Sequence, residues 1–255
     1  MSGHSKWATI KHKKGAADKA RGKLFAKLIR QVEVAAREGG GDPDANPTLR
    51  TMFAKARESS VPLDTIERAI KRGTGELEGV TYEQISYEGY APSGVALIVE
   101  CLTDNRNRTG SEIRATFSKN GGSMAEPGAV AWQFERKGVI LVTKAVRGKP
   151  EVTEDDLMLV ALEAGAEDIE SSGDTWQVTT AASDLLAVRA AIEEAGMTIE
   201  SAEPTMLATQ TVPLTKETDA RKVLHLIDLL EDNDDVQNVY ANFDIPDEVL
   251  ELVEA

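Results

Sequence analysis

Cysteine, histidine, aromatic residues and long apolar runs are all scarce in this chain of 255 residues. The single cysteine, Cys101, excludes an internal disulfide and fits a reducing compartment. Its place just after the apolar run Val95-Ala96-Leu97-Ile98-Val99 reads as a packed thiol rather than a nucleophile. The three histidines, His4, His12 and His225, include no pair at metal-ligand spacing. His225, inside a predicted helix, reads as a partly buried structural side chain. No stretch approaches the ~20 apolar residues of a membrane span, so no membrane partner is expected. The first residues lack an apolar signal core, and their basic character is too rich in Lys and too poor in Ser for an organellar presequence. The reading is cytoplasmic.

Catalytic signatures are missing too. Neither a glycine-rich phosphate loop ending in Lys-Ser/Thr nor a G-x-S-x-G elbow occurs. Gly73-Thr74-Gly75 is explained by a helix stop. The acidic pairs Asp155-Asp156, Glu193-Glu194 and Asp234-Asp235 read as solvated faces or turns, as expected where carboxylates are this dense. No enzyme, cofactor, metal site or small-molecule substrate is therefore expected.

What the chain does have is segregated charge. The formal net charge is −14, yet the first thirty residues hold nine Lys and Arg against one acid. That segment sums to +8 and leaves −22 for the rest. Like charges crowded at one end cost stability, and an anionic partner held there offsets the cost. Phosphate backbone is the commonest such partner. The first candidate ligands are Lys6, Trp7, Lys11, His12, Lys13 and Lys14, with Trp7 placed to stack on a base. Trp7 and Ile10 docking this stretch on the protein is an equal reading. In the helix predicted over 16–38, Leu24, Phe25, Leu28, Ile29, Val32, Ala35 and Ala36 form one buried face. At about 100° per residue, Lys19, Lys23, Lys27 and Arg30 fall within roughly 80° on the other side. They read as a solvent-facing stripe for nucleic acid, whose neutralisation should leave folding unchanged.

Gly39-Gly40-Gly41 ends that helix, Asn46-Pro47 starts a second with Leu49, Met52, Phe53 and Ala56 inward, and Pro62 opens a third with Leu63, Ile66, Ala69 and Ile70 inward. After Gly79 the period shifts to strands over 80–90, 95–101 and 130–134, with a helix capped by Thr109 or Ser111 between the last two. A strand, helix, strand, strand, helix, strand series over 139–202 has the ferredoxin-like order and is closed by Pro204. A strand over 209–214, a helix over 217–230 and a strand over 236–243 follow. The fold class is α+β multidomain: a three-helix bundle over 1–79, an α+β domain over 80–136 plus 205–255, and an inserted ferredoxin-like domain over 137–204. Arg106 and Arg108, in Asp104-Asn105-Arg106-Asn107-Arg108-Thr109, form a second candidate phosphate site beside a helix N-terminus. Pairing of either arginine with Glu100 or Glu112 is the competing reading.

Several of these segments resemble the YebC/PmpR family, which includes the mitochondrial translational activator of cytochrome c oxidase. The matching stretches are Gly3-His4-Ser5-Lys6-Trp7, Ile10-Lys11-His12-Lys13, Ile66-Glu67-Arg68-Ala69-Ile70 with Arg72-Gly73, Tyr87-Glu88-Gly89-Tyr90, LTDNRNRT from Leu102, and DVQNVYANFD from Asp235. Ser60-Val61-Pro62 departs from the family's usual Asn-Met-Pro, and Ser123-Met124-Ala125-Glu126-Pro127 from a more glycine-rich loop. The resemblance implies a helical domain followed by two α/β domains, one inserted in the other. It further implies a cytoplasmic transcriptional regulator that binds DNA; other members look like translation factors that relieve ribosome stalling at proline-rich stretches. A nucleic-acid-binding regulator of gene expression is thus expected, with DNA as the first partner and ribosomal RNA or the ribosome as the second. The helix over 65–72 offers only Glu67, Arg68, Lys71 and Arg72 as base readers, and the sequence leaves the oligomeric state open.

Overall fold

A computed structural model describes residues 18–148 and 150–254, with side chains for 22–148, 150–246 and 248–253. The three-and-four spacing of apolar residues produces α1 (Asp18–Gly39), α2 (Pro47–Glu58) and α3 (Leu63–Gly73). Leu28, Val32, Ala35, Ala36, Leu49, Ala56, Ile66 and Ala69 form their common core, with Phe25, Ile29, Met52, Phe53 and Ile70 packed against it. Leu24 and Leu63, expected inward, are exposed instead, because each lies at the edge of its apolar arc. One buried side chain joins two of the helices. Asn46 accepts from Leu49 N through Oδ1 (3.0 Å) and donates through Nδ2 to Ala35 O (2.8 Å) and Gly40 O (2.9 Å). It thereby caps the start of α2 and the end of α1 together.

The chain then builds β1 (Glu83–Tyr90), β2 (Ala96–Thr103), α4 (Arg106–Lys119) and β3 (Ser123–Ala125). It leaves this sheet to form β4 (Phe134–Thr143), α5 (Glu154–Glu163), β5 (Ala166–Ser172), β6 (Thr175–Ala181), α6 (Leu185–Glu194) and β7 (Ile199–Ala208). After β8 (Val212–Pro213) it returns through α7 (Glu217–Glu231) and β9 (Val236–Ala241), then ends in β10 (Phe243–Asp244) and α8 (Asp247–Glu254). The first sheet has the order β3-β1-β2-β9 and the second β5-β6-β4-β7, both antiparallel. With its two helices, the second is the ferredoxin-like arrangement expected from the element order.

Alternation along β2 serves two cores. Leu97, Val99 and Cys101 pack with Ile113 and Phe117 of α4 and with Val223, Leu226, Ile227 and Leu230 of α7. Ala96 and Ile98 face Val130, Phe134 and Tyr240, with Met206 and Ala208 against them. Burial pushes the Cys101 thiol up to about 12, with the nearby Asp235 charge adding to it. This agrees with a packed thiol.

Several expected strands differ. Residues 131–133 form a 3-10 turn, and the strand runs unbroken from Phe134 to Thr143. Pro204 does not close the second unit; β7 runs through it, pairing Pro204 with Gly138. An edge strand tolerates proline, since its outer side needs no ladder donor. Both strands therefore cross the points, 136/137 and 204/205, where the sequence reading divides the chain. The expected helix caps Thr109 and Ser111 are displaced by Asn105, whose Oδ1 accepts from Arg108 N at 3.1 Å. The Ser123–Ala125 segment, whose departure from the family pattern left its form open, is a strand paired with β1.

Beside that strand, a Cβ at Gly89 would meet Ser123 O at 2.7 Å and the Phe117 ring at 2.8 Å, so only glycine fits. Glu88, 9% exposed, accepts backbone N–H bonds from Gly128 (2.6 Å), Val130 (2.7 Å) and Ala131 (2.9 Å). Burial alone would raise its pKa; the three donors outweigh that and hold the carboxyl below its ordinary value. Glu88→Gln should cost roughly 1.5–3 kcal/mol, since charge-assisted bonds become weaker ones and one amide hydrogen faces a donor. The check is a lower urea midpoint together with faster amide exchange at Gly128, Val130 and Ala131; unchanged exchange there would refute the anchoring role.

Candidate nucleic-acid interface

Three members of the expected cationic stripe on α1, Lys23, Lys27 and Arg30, are not solvent-facing. Lys23 Nζ donates to Asp232 O at 2.8 Å and also pairs with the Asp232 carboxylate. Lys27 Nζ donates to Glu231 O at 2.8 Å. Arg30 Nη1 donates to Asp234 O at 2.8 Å and to Asp235 Oδ1 at 2.9 Å, and its guanidinium lies over the Tyr82 ring. All three cations are half-buried against the C-terminus of α7, where unsatisfied carbonyls and the negative end of the helix dipole converge. The expectation fails because helical periodicity identifies which residues share a face, not what that face meets.

The acceptor at the centre is Asp235, whose side chain is 5% exposed. Its Oδ1 takes Arg30, while Oδ2 takes Arg108 Nη2 (2.7 Å), Thr109 Oγ1 (2.7 Å) and Thr103 Oγ1 (3.2 Å). Its own N–H donates to Asn233 Oδ1 (2.9 Å), and its carbonyl accepts from Leu102 N (2.8 Å). Burial would raise this carboxyl; the bonds from Arg108, Thr109 and Arg30 prevail and hold it below its ordinary value. From the sequence, Asp235 reads only as one half of a solvated acidic pair. The available signal was its position at the head of one matching stretch, facing the residues of another.

Arg108 also bonds Asp104 Oδ1 at 2.8 Å. Arg106 lies 3.4 Å from Glu83 and stays 65% exposed, while its carbonyl accepts from Tyr87 Oη at 3.2 Å. Neither arginine pairs with Glu100 or Glu112. Those acids bond Asn238 and Tyr240, and Asn233, respectively. Of the base-reading candidates on α3, Arg68 pairs with Asp64 (2.6 Å) and Arg72 with buried Glu33 (2.8 Å). His225, expected partly buried, is exposed on α7. Lys6, Trp7, Lys11, His12, Lys13 and Lys14 lie outside the described residues, as does the side chain of Lys19. Among the described residues no cluster of His, Cys, Asp and Glu has metal-binding geometry, and no helix is long and apolar enough to cross a membrane.

Comparison with known proteins places these features. A family model described as the TACO1/YebC protein N-terminal domain matches residues 5–76, and one described as the second and third domain matches residues 82–243. The chain belongs to the TACO1/YebC family. A protein of Thermobifida fusca named "Probable transcriptional regulatory protein" is 58% identical over 98% of both chains. One of the same name from Salinispora arenicola is 56% identical over 98% of both. The crystal structure of a conserved hypothetical protein from Aquifex aeolicus superposes with a TM-score of 0.80 at 47% identity, covering 91% of this chain and 94% of that one. The mixed fold of N-terminal helices followed by two four-stranded sheets is thus that of the TACO1/YebC family.

Asp235→Asn should destabilise the fold by roughly 3 kcal/mol, because Arg30 and Arg108 lose the charge that holds them. The contribution of Asp235 is fully present above the ordinary range of an unfolded-state aspartate and is lost as the pH falls through its depressed folded-state value. Urea unfolding from pH 7 downward checks both points. The variant should be less stable at neutral pH, with the gap closing in acid; a constant gap would contradict the linkage.

Proposed function

We propose that this chain is a nucleic-acid-binding regulator of transcription acting in the cytoplasm. The observation that carries the reading is the segregation of +8 in the first thirty residues against −22 in the remainder. It occurs in a chain matched over nearly its full length by relatives named "Probable transcriptional regulatory protein". Since Lys23, Lys27 and Arg30 rest against α7, the first contacts to phosphate fall to Lys6, Lys11, His12, Lys13 and Lys14, with Trp7 stacking beside them. Arg106, at the exposed start of α4, supplies a separate cation. Arg108 acts through position: it ties Asp104 to Asp235 and so fixes the turn that carries Arg106.

The occupied arginines of α3 leave little equipment for reading base edges, so affinity rests mainly on the phosphate backbone. Replacing Lys11, Lys13 and Lys14 together by Ala should weaken binding to every duplex tested. Each lost contact should flatten the logarithmic salt dependence by roughly 0.9. Titration of duplex DNA at several salt concentrations measures this, and unchanged affinity and slope would remove these lysines from the interface. A regulator should also prefer its operator to random duplex by ~10³ or more at physiological salt. Salt-sensitive sedimentation with ribosomes, without any duplex preference, would overturn the DNA reading in favour of ribosomal RNA.

A further inference from the structure

Among the described residues, the buried core of the N-terminal bundle and the side chains packed on it come only from residues 25–70. The two sheets, by contrast, are joined through Ala96, Ile98, Val130, Phe134, Tyr240 and Met206. The bundle is held by Lys23, Lys27 and Arg30 at the end of α7, by Gln31 on Gln237 (3.1 Å), and by Lys55 on Glu203 (2.9 Å). The exposed contacts among these are individually weak and screened by salt, whereas the pairing of Arg30 with the buried Asp235 is the strong one. Residues 74–82 connect α3 to β1 without helix or strand, and nine residues can extend to about 30 Å. Among the described residues the bundle is therefore a separately packed body docked by polar contacts, with its connector fastened to α1 where Arg37 donates to Val80 O at 2.9 Å.

The acceptors at the dock resemble a phosphate backbone in chemistry. Two carbonyls at a helix C-terminus and the carboxylates of Asp232 and Asp235 present a row of negative oxygens to three cations spaced along one helix. We infer that this contact is an autoinhibitory clasp, in which the C-terminus of α7 covers a cationic row that nucleic acid takes over when the bundle undocks. The inference rests on the nucleic-acid reading above and adds its regulation. A polyanion that contacts Lys23, Lys27 and Arg30 binds only the open arrangement, so binding and undocking form one equilibrium. Affinity is lowered by the fraction of molecules that are closed.

The test locks the clasp in the full chain. In Lys23→Cys/Asp232→Cys, a short bis-maleimide joins α1 to α7 across the gap a lysine side chain spans, while Cys101 stays buried. The same variant with its two thiols capped singly is the control for loss of Lys23. Binding to a random-sequence duplex should be about tenfold weaker in the joined form. Its salt slope should be shallower by at most about 2, because Lys27 and Arg30 give up their contacts at α7 when they meet phosphate. A second variant needs no crosslink. Asp232→Lys should bind about fivefold more tightly than Glu163→Lys, which changes the net charge equally but lies on α5, away from the clasp. Equal binding by joined and capped forms, or by the two lysine variants, would overturn the clasp and leave the nucleic-acid reading standing. Absence of binding to any duplex or single strand, in the unaltered chain as well, would overturn both.

Discussion

A carboxylate removed from water must be met by donors, because desolvating an unpaired charge costs several kcal/mol. Asp235 imposes that requirement on three parts of the chain at once. Arg30 comes from α1, Thr103 from the end of β2, and Arg108 and Thr109 from the first turns of α4. That one group thus links the start of α4, the bundle through Arg30, and the entry of β9 into its sheet. Asn105 then caps α4, and Arg106 is left outside with only a long contact to Glu83.

Two further buried acids act in the same way on a smaller scale. Glu88 gathers three backbone N–H groups and so fixes residues 128–131 against the first sheet. Glu33 receives Arg72 and so ties α3 to α1. Each of the three carboxylates meets a segment by which the chain resembles its family: Tyr87-Glu88-Gly89-Tyr90, Arg72-Gly73, and the pair LTDNRNRT and DVQNVYANFD. Those segments owe much of their character to satisfying buried charge. An arginine such as Arg108 is therefore poor evidence for a ligand on its own, since an internal acid explains it equally well.

The helices were legible because several local signals agree: apolar spacing, the Asn46 cap with proline after it, and glycine at the ends. The ferredoxin-like unit was legible from element order alone. Strand ends were not. Whether β4 starts before or after Phe134, and whether Pro204 ends β7, depends on which strands are neighbours and which edge is open. The candidate site was legible as a list of cations but not as a surface. The partners of Lys23, Lys27 and Arg30 lie about two hundred positions away, and no local pattern carries that information.

The same long-range pairing changes the meaning of the charge imbalance. A count over the first thirty residues treats all nine cations alike, whereas the fold divides them. Three face the acidic end of α7, and the pairing removes much of their field from the surface. Four others, Lys6, Lys11, Lys13 and Lys14, precede α1 in a stretch of seventeen residues without a single acid. The −22 carried by the remaining residues thus has two effects. It repels polyanions from most of the molecule, and through α7 it competes for the very cations that would bind them. In such an arrangement the salt dependence of binding reports a difference between the ion pairs made with phosphate and those given up at α7. Salt weakens both sides, so the net slope counts fewer ions than the number of cations touching the nucleic acid.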